Sequence, residues 1–254
     1  MRISGTHWIG LTVVLAWAVG IMAMPCCAEA PKDSAGLDQL AAKNVPLHRG
    51  EKIAFLGDSI TQGGAGPGGY CRLVDEAISK HHPELGVKIV YAGISGNRVP
   101  DLQKRLERDV LAHKPTVVFI YIGINDVWHS LSGHGTPKAE YEAGLRDLIA
   151  RIRHGGGLVV LATPSVIGEK TDGSNQLDKM LDDYAAISRK VAADTGTPLC
   201  DLHAAFAGYL KEHNKHNQQS GILTVDGVHL TAAGNRFVAD QAAAAITAAL
   251  KNRN

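Results

Sequence analysis

Aromatic side chains are scarce in this chain of 254 residues, at 5% of the total. That argues against a broad stacking surface for nucleic acid. Charge of either sign is not in surplus: 26 Lys and Arg face 25 Asp and Glu. No global field attracts polyanions or acidic membranes, and no nucleic-acid partner is expected. Only four cysteines are present. Two of them, Cys26 and Cys27, fall in the first 28 residues. Cys71 and Cys200 remain, and two small buried thiols are the expectation, although an exported chain has the redox setting to bridge them. Three signatures are missing altogether. No G-K-[ST] exists, which excludes a P-loop, and no G-x-S-x-G exists, which excludes the strained elbow of α/β-hydrolases. No internal repeat is visible.

What is present begins with a leader. Arg2 supplies a positive end, and residues 8–28, "WIGLTVVLAWAVGIMAMPCCA", carry no charge. Residues 1–28 read as a signal peptide and hence as export to the periplasm or exterior, with an uncleaved anchor as the alternative. Its removal takes away one base and no acid, so Lys/Arg and Asp/Glu come into balance and no membrane span is expected in the mature form. Residues 29–50 read as a linker with one marginal helical turn, and 51–254 as a single domain. Hydrophobic residues make up 45% of the chain, enough for a full core.

Within the domain, five near-continuous apolar runs read as strands buried on both faces: 52–57, 87–92, 116–122, 157–162 and 197–202. Amphipathic helical segments lie between and after them, at 70–82, 100–114, 138–153, 177–194 and 231–251. In the second, Leu102, Leu106, Val110 and Leu111 share a face. Thr231 is a good N-cap for the last. The polar stretch 211–220 reads as a loop, and its His213 and His216 have no firm metal-ligand spacing. Alternating strands and helices imply an α/β fold with a parallel sheet covered on both sides. Ligands of such folds bind at the carboxyl ends of the strands.

Those ends collect the polar residues. Ser59 follows the first strand, Gly96, Asn97 and Arg98 the second, and Asn125, Asp126, Trp128 and His129 the third. Asp226 and His229 follow the fifth strand and a further helix. A serine needs a base to become a nucleophile, and histidine is the usual one because its pKa lies near neutrality. A carboxylate then fixes the imidazole tautomer. Asp226 and His229, three apart, can present both groups to one spot. Backbone N–H groups and a side-chain amide serve a developing oxyanion. Ser59, Gly96 and Asn125 are the candidates. Asp58 is expected to hold the turn around Ser59. The same region offers another chemistry: Gly64, Gly66 and Gly69 spell the G-x-G-x-x-G of dinucleotide sites. That fingerprint should open directly off the strand, whereas Gly64 stands seven residues past Gly57. These glycines are expected instead to form a pocket wall or mobile rim.

Four blocks resemble the GDSL, or SGNH, serine hydrolases: Gly57-Asp58-Ser59-Ile60, with Ile60 for the usual leucine; Gly96 in "AGISGNR"; Asn125 in "GIND"; and Asp226 and His229 in "DGVH". They stand in family order and span residues 57–229. The resemblance implies a flavodoxin-like three-layer αβα sandwich with a five-stranded parallel sheet. It implies Ser59 as nucleophile, His229 as base, Asp226 as its orienter, and Ser59, Gly96 and Asn125 as the oxyanion hole. No metal or cofactor is called for. Arg98, Trp128 and His129 flank the site as pocket candidates. The expected reaction is hydrolysis of short acyl esters, O-acetyl above all, on a small molecule or polysaccharide. An acylhydrolase acting on lysophospholipids or thioesters, and a non-catalytic carbohydrate-binding module, are the alternatives.

Overall fold

A computed structural model describes Met1 and residues 35–253. The leader, Met1 apart, and residues 29–34 lie outside the described residues. Five strands, β1 (Lys52–Gly57), β2 (Lys88–Gly93), β3 (Val117–Tyr121), β4 (Leu158–Ala162) and β5 (Leu199–Cys200), form one sheet in the order β2-β1-β3-β4-β5. Every pairing is parallel. β1, β3 and β4 are buried almost throughout, as their unbroken apolar runs require. β5 keeps only two of the six residues expected of it, because Thr197 and Pro198 precede the pairing and Leu202 already opens a helix. This is the flavodoxin-like order expected above.

Nine α-helices are described: α1 (Ala35–Ala41), α2 (Ser59–Gly64), α3 (Tyr70–His81), α4 (Val99–Asp109), α5 (Ile124–Trp128), α6 (Lys138–His154), α7 (Asp178–Thr195), α8 (Leu202–His213) and α9 (Ala232–Lys251). α1, α3 and α9 pack together over one face of the sheet, and α4, α6 and α7 over the other. α8 runs three residues into the stretch read as a loop. Its His213 ring stacks on Tyr209 with centroids 3.9 Å apart.

Residues 35–50 are not a linker. α1 lies against α9, and the Asp240 carboxylate accepts from the N–H groups of Gly36 at 2.7 Å and Leu37 at 3.1 Å. Those are orphan donors of a first helical turn, so a side chain 204 residues downstream of Gly36 serves as the cap. Leu40 and Leu47 are buried in the core. The stretch looked like a linker because its apolar residues are few and its capping partner is remote in sequence. Cys71 on α3 and Cys200 on β5 are both free and buried, and burial pushes both thiols well above their ordinary range.

Candidate functional site

The register places Gly57 of β1 level with Gly93 of β2 and Tyr121 of β3. The carboxyl ends of three adjacent strands therefore finish together. α2 starts at once and folds back over them. Gly57 and Gly93 permit this, since a Cβ on either would come within 2.2 Å of α2 atoms. Asp58 caps α2, accepting from the Ile60 N–H at 2.9 Å. It is buried, and burial raises its carboxyl to about 7, with Asp126 adding to the rise. Ser59 thus begins a helix whose entry is fixed by its neighbour.

Ser59 Oγ lies 3.0 Å from His229 Nε2, and His229 Nδ1 lies 2.7 Å from Asp226 Oδ2. With Nδ1 donating to the carboxylate, Nε2 is left as the acceptor for the serine hydroxyl. Asp226 Oδ1 also accepts from the N–H groups of Val228 at 2.9 Å and His229 at 2.8 Å. Burial opposes the charge on Asp226, but these bonds outweigh it and hold the carboxyl below its ordinary range.

Glu169, in the segment after β4, shapes the turn that carries this pair. Its buried carboxylate accepts from the N–H groups of Ile222, Leu223 and Thr224 and from the Thr224 hydroxyl. Thr224 Oγ1 in turn accepts from the Gly227 N–H at 3.1 Å, and Gly168 N–H donates to Gly227 O at 2.8 Å. The Asp226–His229 turn is clasped from below by one acid and its neighbour.

The other two strand ends supply Gly96 and Asn125. Gly96, with φ 75°, sits in the loop after β2, and that loop is tied to α2 by Ser95 N–H donating to Gln62 Oε1 at 2.7 Å. Asn125, buried in α5, donates through Nδ2 to Asn97 O at 3.0 Å. Gly96 and Asn125 are thereby held within one residue of contact. No hydrogen bond of the Ser59 or Gly96 N–H is found among the described residues. Arg105 joins the two loops. Its Nε donates to Asn97 Oδ1 at 2.6 Å and its Nη2 to Gly57 O at 2.7 Å, while Nη1 pairs with Asp109 at 3.1 Å.

Trp128 reaches His229, with the two ring centroids 6.4 Å apart. Arg98 and His129 are brought to each other instead. Arg98 Nη1 donates to His134 O, and His134 N–H donates to His129 O at 2.9 Å. Burial and then the Arg98 charge push the His129 imidazole below its ordinary range. Neither residue bonds to the Ser59–His229–Asp226 chain. Of the glycines after Ser59, Gly64 and Gly69 are packing residues, whereas Gly63 and Gly68 are exposed with open space beside them. Gly64 ends α2, a Cβ there would meet the Tyr70 ring at 2.6 Å, and one on Gly69 would meet Gly64 O at 2.4 Å. They let α3 start directly against the end of α2, so no phosphate cradle opens off β1.

Sequence reasoning missed Arg105, Glu169 and Gln62. Arg105 carried a signal: it stands three after Leu102 and one before Leu106, a charge on the buried stripe of α4. Glu169 and Gln62 carried none, since neither sits in a periodic pattern that marks it as buried or bonded.

The model of the GDSL-like lipase/acylhydrolase family matches residues 55–237. The chain belongs to that family. An acetylxylan esterase of Geobacillus stearothermophilus is 36% identical over 208 residues, 75% of this chain and 91% of the relative. An isoamyl acetate-hydrolyzing esterase homologue of Rattus norvegicus is 26% identical, over 74% of this chain and 78% of the relative. Among solved structures, an acetyl xylan esterase, AlAXEase, superposes with TM-score 0.73 at 42% identity, covering 75% of this chain and 97% of that one. As a member of this GDSL-like family, the chain is a carboxylic ester hydrolase, which sets aside the binding-module and dinucleotide readings.

Proposed function

We propose that this hydrolase removes acetyl and other short acyl groups from carbohydrate esters through an acyl-enzyme on Ser59. The observation that carries the reading is the unbroken line from Ser59 Oγ to His229 at 3.0 Å and on to Asp226 at 2.7 Å. The relatives support it. Solved structures of the Geobacillus stearothermophilus acetylxylan esterase include catalytic mutants of a serine, a histidine and an aspartate. In that enzyme the aspartate stands three positions before the histidine, as Asp226 does before His229.

In the proposed cycle Ser59 Oγ attacks the ester carbonyl and its proton passes to His229 Nε2. Asp226 steadies the imidazolium that forms. The carbonyl oxygen, now negative, is met by the N–H groups of Ser59 and Gly96 and the free hydrogen of the Asn125 amide. One such donor is worth about 10²–10³ in rate. The intermediate collapses, and His229 gives its proton to the departing sugar hydroxyl. Water then enters, His229 takes its proton, and the hydroxide attacks the acyl carbon. Acetate leaves and Ser59 recovers its proton. Trp128, beside His229, offers a flat face to a sugar ring. The leader, with Arg2 ahead of an uncharged apolar stretch at 8–28, supports action outside the cytoplasm.

The test compares initial rates on a chromogenic acetate, acetylated xylan and esters of rising acyl length. Acetate esters turned over fastest, and lost in Ser59→Ala, are the expected result. Rates climbing steadily with acyl length would overturn the carbohydrate-acetyl reading in favour of a lipid or thioester acylhydrolase.

A further inference from the structure

β2 is an edge strand. It pairs only with β1, so the backbone N–H and C=O groups along its outer side have no strand partner. Beside it, between β2 and α4, runs a groove of about 970 Å³. At one end lie Gly93, Ile94 and Arg105, at the oxyanion loop, and at the other lie Lys52, Lys88 and Lys114. Six strand residues separate the ends, about 20 Å at the usual rise.

The groove is strongly basic in a chain that is close to neutral. Lys52, Lys88, Arg105, Arg108 and Lys114 line it against a single carboxylate, Asp109. Asp109 is already engaged by Arg105 and Arg108, and these bonds hold its carboxyl below the ordinary range despite some burial. Lys88 and Lys114 are exposed and form no ion pair with any described residue. The Tyr91 ring in the groove is spoken for, since its hydroxyl donates to Asp75 at 2.6 Å and Arg72 lies over its face. Spaced cations, a row of backbone donors and acceptors without a strand partner, and the half-buried aliphatic side chains of Ile89 and Val90 suit a hydroxyl-rich chain with intermittent negative charge.

We propose that this groove binds a polysaccharide chain bearing carboxylates, that is, uronic acid units, and that it feeds an acetylated stretch of the same chain to Ser59. Ile94 and Arg105 make the connection. Ile94 N–H donates to Gly57 O at 3.2 Å, and Arg105 reaches the same carbonyl, so the upper end of the groove abuts the turn carrying the serine. The inference rests on the acetyl-ester reading given above and narrows its substrate to acidic polysaccharides.

The test uses the full protein and the double variant Lys88→Glu/Lys114→Glu. Wild type should deacetylate uronate-bearing acetylated oligosaccharides about tenfold more efficiently than neutral acetylated xylo-oligosaccharides at low salt, through KM, and lose the preference at high salt. The variant should lose the preference while keeping wild-type turnover of a chromogenic acetate. Equal efficiency on both sugars in the wild type, or an unchanged preference in the variant, overturns the proposal. Calorimetry with a deacetylated uronate oligosaccharide separates this inference from the function. Binding by wild type at least tenfold tighter than by the variant upholds the groove even if no acetyl ester is cleaved. Absence of binding overturns the groove even if acetylxylan is cleaved. Oligoglutamate binding tighter than the uronate chain overturns it in favour of an acidic peptide.

Discussion

Arg105 donates to the carbonyl of Gly57 at 2.7 Å, two residues before the serine, from a helix that begins after the neighbouring strand. The same guanidinium holds Asn97, whose carbonyl receives the Asn125 amide. One buried cation therefore sets the relative position of the Ser59 turn and both proposed oxyanion loops. Burial works against its charge and draws its pKa down from the ordinary arginine value, but Asp109 opposes that. Arg105→Lys keeps a charge and loses the fork. Its kcat is expected to fall about tenfold or more with KM little changed, since only the geometry of charge stabilisation is disturbed. A proportional rise in KM at constant kcat would show that Arg105 serves binding alone.

Ser59→Ala is expected to lower kcat on a chromogenic acetate by about 10⁴ or more, leaving the circular-dichroism spectrum unchanged. Asp226→Asn should cost less, on the order of 10²–10⁴, because its turn retains the backbone bonds to Val228 and His229. Steady-state kinetics on the purified variants decide both.

Glu169→Gln tests the clasp under the Asp226–His229 turn. A carboxylate offers its two oxygens to four donors here, whereas glutamine offers one oxygen and turns an NH₂ toward buried N–H groups. The loss should be about 1–3 kcal/mol of stability for a buried donor left unpaired, read by urea unfolding. The folded fraction should also show a lowered kcat, because His229 sits on the loosened turn.

Stability should fall with rising pH through the acid range because of Asp58. Its folded carboxyl titrates at about 7 against an ordinary 3.8, so between those values the folded state keeps a proton that the unfolded chain has lost. The contribution is full below pH 3.8 and gone above about 7. Asp126, raised by burial to about 6, acts in the same direction. Asp58→Asn keeps an acceptor for the Ile60 N–H and removes the titration. Its stability relative to wild type should climb from pH 4 to 7 and then level off, by at most on the order of 4 kcal/mol. Melting temperatures of both proteins across that range give the comparison.

Trp128→Ala should raise KM for acetylated oligosaccharides about tenfold while changing turnover of a chromogenic acetate far less. Equal losses on both substrates would place the ring in support of His229 rather than beneath a sugar.

Much of this was legible in the chain because it rests on local chemistry. Apolar runs of strand length marked β1, β3 and β4, and an aspartate three before a histidine marked one turn. Register then did the rest, since Gly57, Gly93 and Tyr121 align once parallel pairing is assumed. The failures share a cause. α1 reads as linker in the sequence because its cap, Asp240, comes from the far end of the chain. Glu169 was invisible because a buried acid whose partners are backbone N–H groups leaves no complementary charge to find. Gly64 and Gly69 point to a pocket wall in the sequence because a missing Cβ tells of close approach but not of what approaches.

The clasp of α1 on α9 closes a span of 204 residues, and the Ser59–His229 contact closes one of 170. A ribosome releases the strands of the sheet long before either closure can form. Chains ending before Asp226 have Ser59 and neither proposed triad partner, and chains ending before Asp240 have an α1 whose cap has not yet been made. Such topology delays the last step of folding, since long closures must be made before their contacts repay the lost chain entropy. Ester turnover is consequently a readout of the completed chain, and in refolding it should appear after the burial of the β-sheet.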